Sequence, residues 1–260
     1  MKKGLHQSSS IIARALKSGV STVQLYYIRH GQSANNALYD QTGSSKGRSP
    51  DPDLTQAGVE QVNHLAGYVS RPFQPGYEDL RNEYGFGFTH IYTSLMVRAV
   101  KTAYPIAQAT GLPVVGWEII HEEGGIFTGD ETTEEKIGQP GMPRSYFENH
   151  FPGLILPEWL GEEGWYRAQQ YEPHENRLSR AQFFLDELKQ RHGGSQDRVA
   201  VVSHGGFFNL FMAVLLGLNT RNGYWFLMNN TAISRFDFHD DHVAVIYINR
   251  TDHLPAHLIT

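Results

Sequence analysis

Hydrophobic positions along this chain follow two different periods, and the switches between them mark the elements. Residues 23–28 form an aromatic and β-branched run with polar residues ahead of it and Gly31 just behind, the pattern of a buried strand. Whatever follows Ile28 therefore lies at a strand's C-terminal end. Val59, Val62, Leu65, Ala66 and Val69 keep a three-and-four spacing behind two capping candidates, Asp53 and Thr55, which predicts an amphipathic helix. A short strand is predicted over 90–93. The Ala-rich stretch 96–109, unbroken by Gly, reads as the next helix, with a candidate kink at Pro105.

The period is lost over 111–173, where Gly and Pro are frequent and Trp159, Trp165 and Tyr166 look exposed; most of this stretch reads as an insertion or cap. It returns in a helix over 175–191, whose face is Leu178, Ala181, Phe184, Leu185 and Leu188, then in a strand over 198–203 and an apolar helix over 207–216. Residues 231–238 and 243–249 read as a closing pair of strands around a turn at 239–242. Strands alternating with helices define an α/β chain, here a three-layer sandwich with a mostly parallel central sheet and helices on both faces. The expected organisation is a basic segment over 1–20, then one domain over 21–260 that carries the cap at about 124–173.

Composition removes several classes of function. The 260 residues are 40% apolar and 19% charged with a formal net charge of -5, which gives no general attraction to nucleic acid. Cysteine is absent, so there is no thiol nucleophile, disulfide or Cys-based metal site. No apolar run reaches the roughly 18 to 20 residues needed to span a bilayer, so no membrane partner is expected. Every charged residue between Met1 and Tyr39 is basic, and the segment lacks the apolar core of a secretory signal. It is read as a basic N-terminal helix of a cytoplasmic protein, with organelle targeting as the alternative. A homodimer is compatible with the sequence.

Two strand ends are chemically unusual. Arg29-His30-Gly31 follows the first predicted strand, and Ser203-His204-Gly205-Gly206 follows the later one. Ligands of open α/β sheets sit at the carboxyl ends of strands, so both histidines are placed where a site belongs. Arginine offers a permanently charged fork for phosphate oxygens, and a neutral imidazole offers one nitrogen lone pair for in-line attack on phosphorus. Gly31 and Gly205 remove side chains where backbone N–H groups could approach an anion. A further cation is expected, and Arg98, just past the strand ending in Thr93, is the candidate.

These blocks resemble the histidine phosphatase superfamily, also called phosphoglycerate-mutase-like. Arg29-His30-Gly31-Gln32-Ser33, continuing to Asn36, is similar to its opening signature. Asp53-Leu54-Thr55 with Gly58 and Gln61 resembles the next helix, Thr93-Ser94 with Arg98, Ala99 and Thr102 the second arginine block, and Val201 to Gly206 the second histidine block; Asn230-Thr231-Ala232-Ile233 is similar to a weaker closing block. The resemblance implies a two-step reaction in which His30 attacks phosphorus and Arg29, Arg98 and His204 hold the oxygens. An acid protonates the leaving oxygen and later activates water. In His121-Glu122-Glu123-Gly124-Gly125 that acid is assigned to Glu122 rather than Glu123 from the Glu-x-Gly-Gly spacing. Gly31, Ser33, Asn36 and Gly205 are implied substrate-binding positions, with a small phosphorylated metabolite as substrate and neither cofactor nor metal required.

His239-Asp240-Asp241-His242 could suggest a metal site, but a solvated hairpin turn is favoured. Residues 43–49 miss the Walker spacing and read as a flexible loop near the site. Arg144, Arg167, His150, Trp165 and Tyr166 either line the pocket, with Arg144 or Arg167 meeting a second anionic group, or are structural cap residues. A mutase is the main alternative, disfavoured by Gln32 and by Gly206-Phe207 where mutases carry Glu and Asn-Ser. A non-catalytic phospholigand-binding or scaffold protein is the third reading.

Overall fold

The strand over Val23–Arg29 (β1) feeds two cores in alternation, as a two-residue period requires. Tyr26 and Ile28 pack into one core, while Val23, Leu25 and Tyr27 pack into the other. The computed structural model of the chain describes residues 22–75, 79–129, 136–168, 170–219 and 223–260, so the basic segment over 1–20 lies outside the described residues. After β1 come α1 (Ala34–Thr42), α2 (Gln56–Val69), β2 (His90–Thr93), α3 (Val97–Thr110), β3 (Val114–Gly116) and a 3-10 turn at Glu118–Ile120. The chain continues through β4 (Phe127–Thr128), β5 (Ile137–Gly138), α4 (Arg144–His150), α5 (His174–His192), β6 (Arg198–Ser203), α6 (Gly205–Leu216), β7 (Ile233–Phe238) and β8 (Val243–Arg250).

Six strands form one sheet in the order β3-β2-β6-β1-β7-β8. β3, β2, β6 and β1 run parallel, and β7 is antiparallel to both β1 and β8. Helices α2 and α3 cover one face through Leu65, Ala66, Val69, Ala99, Val100, Ala103 and Ile106. Helices α5 and α6 cover the other through Ala181, Phe184, Leu185, Leu188, Phe207, Phe208 and Phe211. Burying each such Leu or Phe stabilises the fold by about 1.5–3 kcal/mol. The expected mostly parallel sandwich is therefore the observed architecture. Among the described residues no helix is long and apolar enough to cross a membrane.

Several local expectations need correction. Of the two capping candidates, Thr55 caps α2 by accepting from the Gly58 N–H at 3.0 Å, whereas Asp53 pairs with Lys101. Helix α3 runs through Pro105 as one element. The closing strand begins at Ile233 rather than 231 because Thr231 has a φ of 59°, outside strand geometry. Trp165 and Tyr166 are buried, packed in a core cluster with Ile126, Phe147, Phe151 and Leu160. Residues 43–49 are tied down: Asn35 donates to the Ser49 carbonyl at 2.8 Å and accepts its N–H at 2.9 Å.

Candidate active site

Strand register brings the two histidine blocks together. β1 and β6 pair so that Arg29 lies opposite Ser203, which sets His30 beside His204, and their ring centroids are 5.1 Å apart. β2 and β6 pair with Thr93 opposite Val202, which places Ser94 next in line; its hydroxyl lies 2.9 Å from His204 Nε2. Three neighbouring strand ends thus supply one cluster.

The hydrogen bonds of His30 select its tautomer. Nδ1 lies 2.7 Å from the Gly31 carbonyl, which can only accept, so Nδ1 carries the proton. Nε2 is left with its lone pair, and Arg98 Nε donates to it at 3.1 Å. His30 is almost fully buried, and its pKa is held well below the usual histidine value, first by burial and then by the Arg98 and Arg29 charges. Burial is thus the larger cause, with the arginines acting in the same direction. The Asn230 side chain fixes the His30 backbone by donating to its carbonyl at 3.0 Å.

Arg98 is oriented by an acid that the sequence reading missed. Asp51 lies 3.6 Å from Arg98 Nη1 and accepts the Val97 N–H at 3.1 Å. Burial raises the Asp51 pKa from 3.8 to about 6, against the pull of Arg98. The fold therefore favours protonated Asp51: its contribution to stability is full below about pH 4 and is lost as pH rises through about 6. Asp51→Asn, neutral throughout, is expected to flatten the stability profile between roughly pH 4 and 6 in denaturant unfolding. An unchanged slope would contradict this assignment.

Arg29 donates one N–H to the Met228 carbonyl, while its Nε and the Nδ1 of His204 are buried without a hydrogen-bond partner among the described residues. Orphaned polar atoms of this kind are rare in native interiors, and a bound anion would give these two partners; Trp165 Nε1 and His253 Nδ1 are likewise unpartnered, outside the site. Burial, then Arg98 and His30, lower the His204 pKa well below its usual value.

Glu122 reaches the cluster from the loop after the 3-10 turn. Its carboxylate accepts the N–H groups of Phe207 at 2.9 Å, Gly206 at 3.2 Å and Glu123 at 2.8 Å. It therefore caps α6, whose own N-cap residue His204 makes no side-chain cap bond. The cap also explains why α6 begins at Gly205 rather than at the expected 207. A Cβ on Gly206 would lie 2.4 Å from Glu122 Oε1, so this glycine makes room for the carboxylate. Gly124 and Gly125 have φ of 82° and 76°, and a Cβ at either would strike the ring of Tyr171 or Tyr166, which gives the Glu-x-Gly-Gly spacing a physical cause. Glu123 turns instead to Arg177, 3.3 Å away. A buried pair unseen in the sequence anchors this loop: Arg180 holds Glu172 through two bonds of 2.6 and 2.7 Å and donates to the Ile119 and His121 carbonyls, while Glu172 accepts the Gly124 N–H.

A cleft of about 610 Å³ reaches this cluster through Arg29, Glu122, Gly205 and Gly206 and is also lined by Asn36, Arg48, Phe127 and Tyr171; His30, Arg98 and His204 lie buried behind that lining. Of the expected substrate-binding positions, Asn36 and Gly205 face it. Gly31 does not offer its N–H, which donates to Thr102 Oγ1 at 3.0 Å; glycine is needed there because a Cβ would lie 2.8 Å from the Gly58 carbonyl oxygen. Ser33 is buried as the N-cap of α1 in a reciprocal box with Asn36. Neither Arg144 nor Arg167 lines the cleft: Arg144 donates to the Leu160 and Pro157 carbonyls, and Arg167 stacks on Trp159 at 4.1 Å. His150 packs on Tyr146, away from the cleft lining. At the opposite end of the sheet His90, His192 and Asp197 bring ligand-type atoms within 4.8 Å of one another, and His192 Nδ1 lies 2.9 Å from Asp197. In the 239–242 turn the rings of His239 and His242 stack at 4.4 Å, closer than adjacent turn positions suggested, but no metal-type cluster forms there among the described residues.

Residues 25–251 match the family model of the histidine phosphatase superfamily (branch 1), and the chain belongs to that family. Phosphoserine phosphatase 1 of Hydrogenobacter thermophilus is 28% identical over 89% of this chain and 94% of its own length. A probable phosphoglycerate mutase, GpmB, of Yersinia pestis is 26% identical over 84% of this chain and 86% of its own. Among solved structures, phosphoserine phosphatase of Entamoeba histolytica in complex with 3-phosphoglyceric acid is similar at a TM-score of 0.55 and 25% identity, covering 90% of this chain and 100% of that one.

Proposed function

We propose that the protein hydrolyses a small phosphate monoester through a phosphohistidine on His30. The observation that carries this reading is the His30 ring itself: Nδ1–H is committed to Gly31, and the Nε2 lone pair is buried beside Arg98 and 5.1 Å, ring to ring, from His204. In the first step Nε2 attacks phosphorus, the bond from phosphorus to the ester oxygen breaks, and the leaving oxygen takes a proton from Glu122. In the second, water attacks the phosphohistidine and gives its proton to Glu122, and the P–N bond breaks, releasing inorganic phosphate and neutral His30. Arg29, Arg98 and His204 stabilise the equatorial oxygens, where charge spreads in phosphoryl transfer. The two orphaned atoms, Arg29 Nε and His204 Nδ1, would find acceptors in the oxygens of a bound phosphoryl group.

Glu122 is preferred to Glu123 as the acid because its carboxylate sits on the α6 N-terminus that follows His204, whereas Glu123 is paired with Arg177. Glu122→Gln is expected to slow turnover of alkyl phosphates by about 10² to 10⁴, and less for p-nitrophenyl phosphate, whose leaving group needs no proton. Equal losses on both substrates in kcat/KM, which reports only the step that expels the leaving group, would remove Glu122 from that role. The stretch around 124–173 supplies Phe127, Lys136 and Tyr171 to the cleft wall, which supports its reading as a cap over the substrate.

Phosphatase relatives and a structural neighbour bound to 3-phosphoglyceric acid support a small phosphorylated substrate. A mutase reading draws on the similarity to the Yersinia protein and would pass the phosphoryl group to a second hydroxyl instead of water. Turnover on a panel of phosphorylated metabolites, scoring inorganic phosphate against isomer, decides between them. Phosphate release is the result the proposal requires, and isomer without phosphate would replace it.

A further inference from the structure

The positive charge around the cleft is unevenly spent. Arg98 is paired with Asp51, Arg177 with Glu123 and Arg180 with Glu172. Arg48 and Lys136 also line the cleft, yet neither pairs with a carboxylate among the described residues. Arg48 lies half-buried with its guanidinium carbon 3.8 Å from the centroid of the Phe127 ring. Stacking uses the flat face of a guanidinium and leaves the N–H donors at its edge, and those of Arg48 meet no acceptor among the described residues. Lys136 Nζ donates to the Tyr171 hydroxyl at 3.2 Å and lies 4.3 Å from that ring's centroid, so one aromatic wall, Phe127 and Tyr171, holds both cations. Burial first and then the Arg98 charge lower the Arg48 pKa, with Glu122 the largest opposing charge.

Arg29 and Arg98, with His204, are assigned to the transferred phosphoryl group, and Arg48 and Lys136 form a second positive site on the cleft wall. A partly desolvated guanidinium whose edge N–H groups meet no protein acceptor is well placed to take an anionic ligand. We propose that Arg48 and Lys136 form a second anion subsite, so that the substrate is a phosphate monoester whose organic part carries its own negative group, a carboxylate or a second phosphate. This rests on the hydrolase reading above. It also moves the expected second-anion contact from Arg144 or Arg167, which brace backbone carbonyls elsewhere, to residues 48 and 136.

The test is a ratio: kcat/KM for esters bearing a second anionic group, divided by kcat/KM for phenyl phosphate. One arm uses phosphorylated carboxylic acids and the other bisphosphates, which separates the two sources of charge. Wild type is expected to favour one of these arms over phenyl phosphate. Arg48→Ala should lower the ratio by about 10- to 100-fold, the size of one charge-assisted hydrogen bond, mainly through KM, and Arg48→Lys should recover part of it. No wild-type preference for either arm, an unchanged ratio in Arg48→Ala, or equal loss on every ester would overturn the subsite. Absence of turnover on all esters, phenyl phosphate included, would remove the hydrolase reading itself.

Discussion

His30→Ala is expected to lower turnover by at least about 10⁴-fold on every substrate the wild type accepts, because no other group at the site can take over covalent attack. His204 is the nearest alternative: its Nε2 is engaged with the Ser94 hydroxyl, and its Nδ1 serves the phosphoryl oxygens in the proposed mechanism. His30 is almost fully buried and its ring contacts few polar groups, so removal should leave the fold intact. Circular dichroism and a thermal melt check that point, and His30→Asn, closer in size, gives the same test with a smaller cavity. A loss of only a few-fold would mean that phosphorus is attacked by water directly and that His30 merely holds oxygens.

The second large effect concerns stability. Arg180→Ala is expected to cost about 3–5 kcal/mol, because it leaves Glu172 buried and uncompensated and frees the Ile119 and His121 carbonyls. In a chain of this size that corresponds to a fall in Tm on the order of 10 °C. The double variant lacking both charges should lose less than the sum of the two singles, since the uncompensated charge disappears with its partner. The same change loosens the 119–125 loop that carries Glu122, so activity at temperatures well below Tm should also fall. A melting temperature within a degree or two of wild type would show that solvent reaches this pair.

How much of this was readable in advance depended on whether a feature is local. His30 and His204 were legible because each follows an apolar strand, and the parallel register of β1 and β6 then brings them together. The α2 helix was legible because Val62, Leu65, Ala66 and Val69 repeat at helical spacing and are buried. Helix α1 was not, since none of its residues is buried and no apolar face exists to be seen; Ser33 and Asn36 hold its start instead. The Gly and Pro of 111–173 suggested exposed aromatics, yet the turns they permit fold Trp165 and Tyr166 back onto Ile126 and Phe147.

The supporting groups of the site were hidden for a different reason. Glu122 meets the α6 N–H groups across 84 and 85 residues of sequence, Asp51 meets Val97 across 46, and Glu172 and Arg180 are neighbours only because the chain enters α5 beside the loop they hold. Such partners have no periodicity to betray them. The Gly206-Phe207 pair acquired a new meaning in the same way: as well as departing from the mutase pattern, the absent side chain at 206 admits the Glu122 carboxylate to the helix terminus. Arg48 lay in a stretch read as a flexible loop, and only its stacking on Phe127 gives it a place in the cleft.

The most direct measurement is rapid chemical quench with substrate labelled in the phosphoryl group, followed by peptide mapping at alkaline pH. Transient, acid-labile phosphate on the peptide containing His30, formed and lost at rates compatible with kcat and absent in His30→Ala, is the predicted result. Steady release of phosphate with no label on His30 at any time, or label on another residue, would contradict the account.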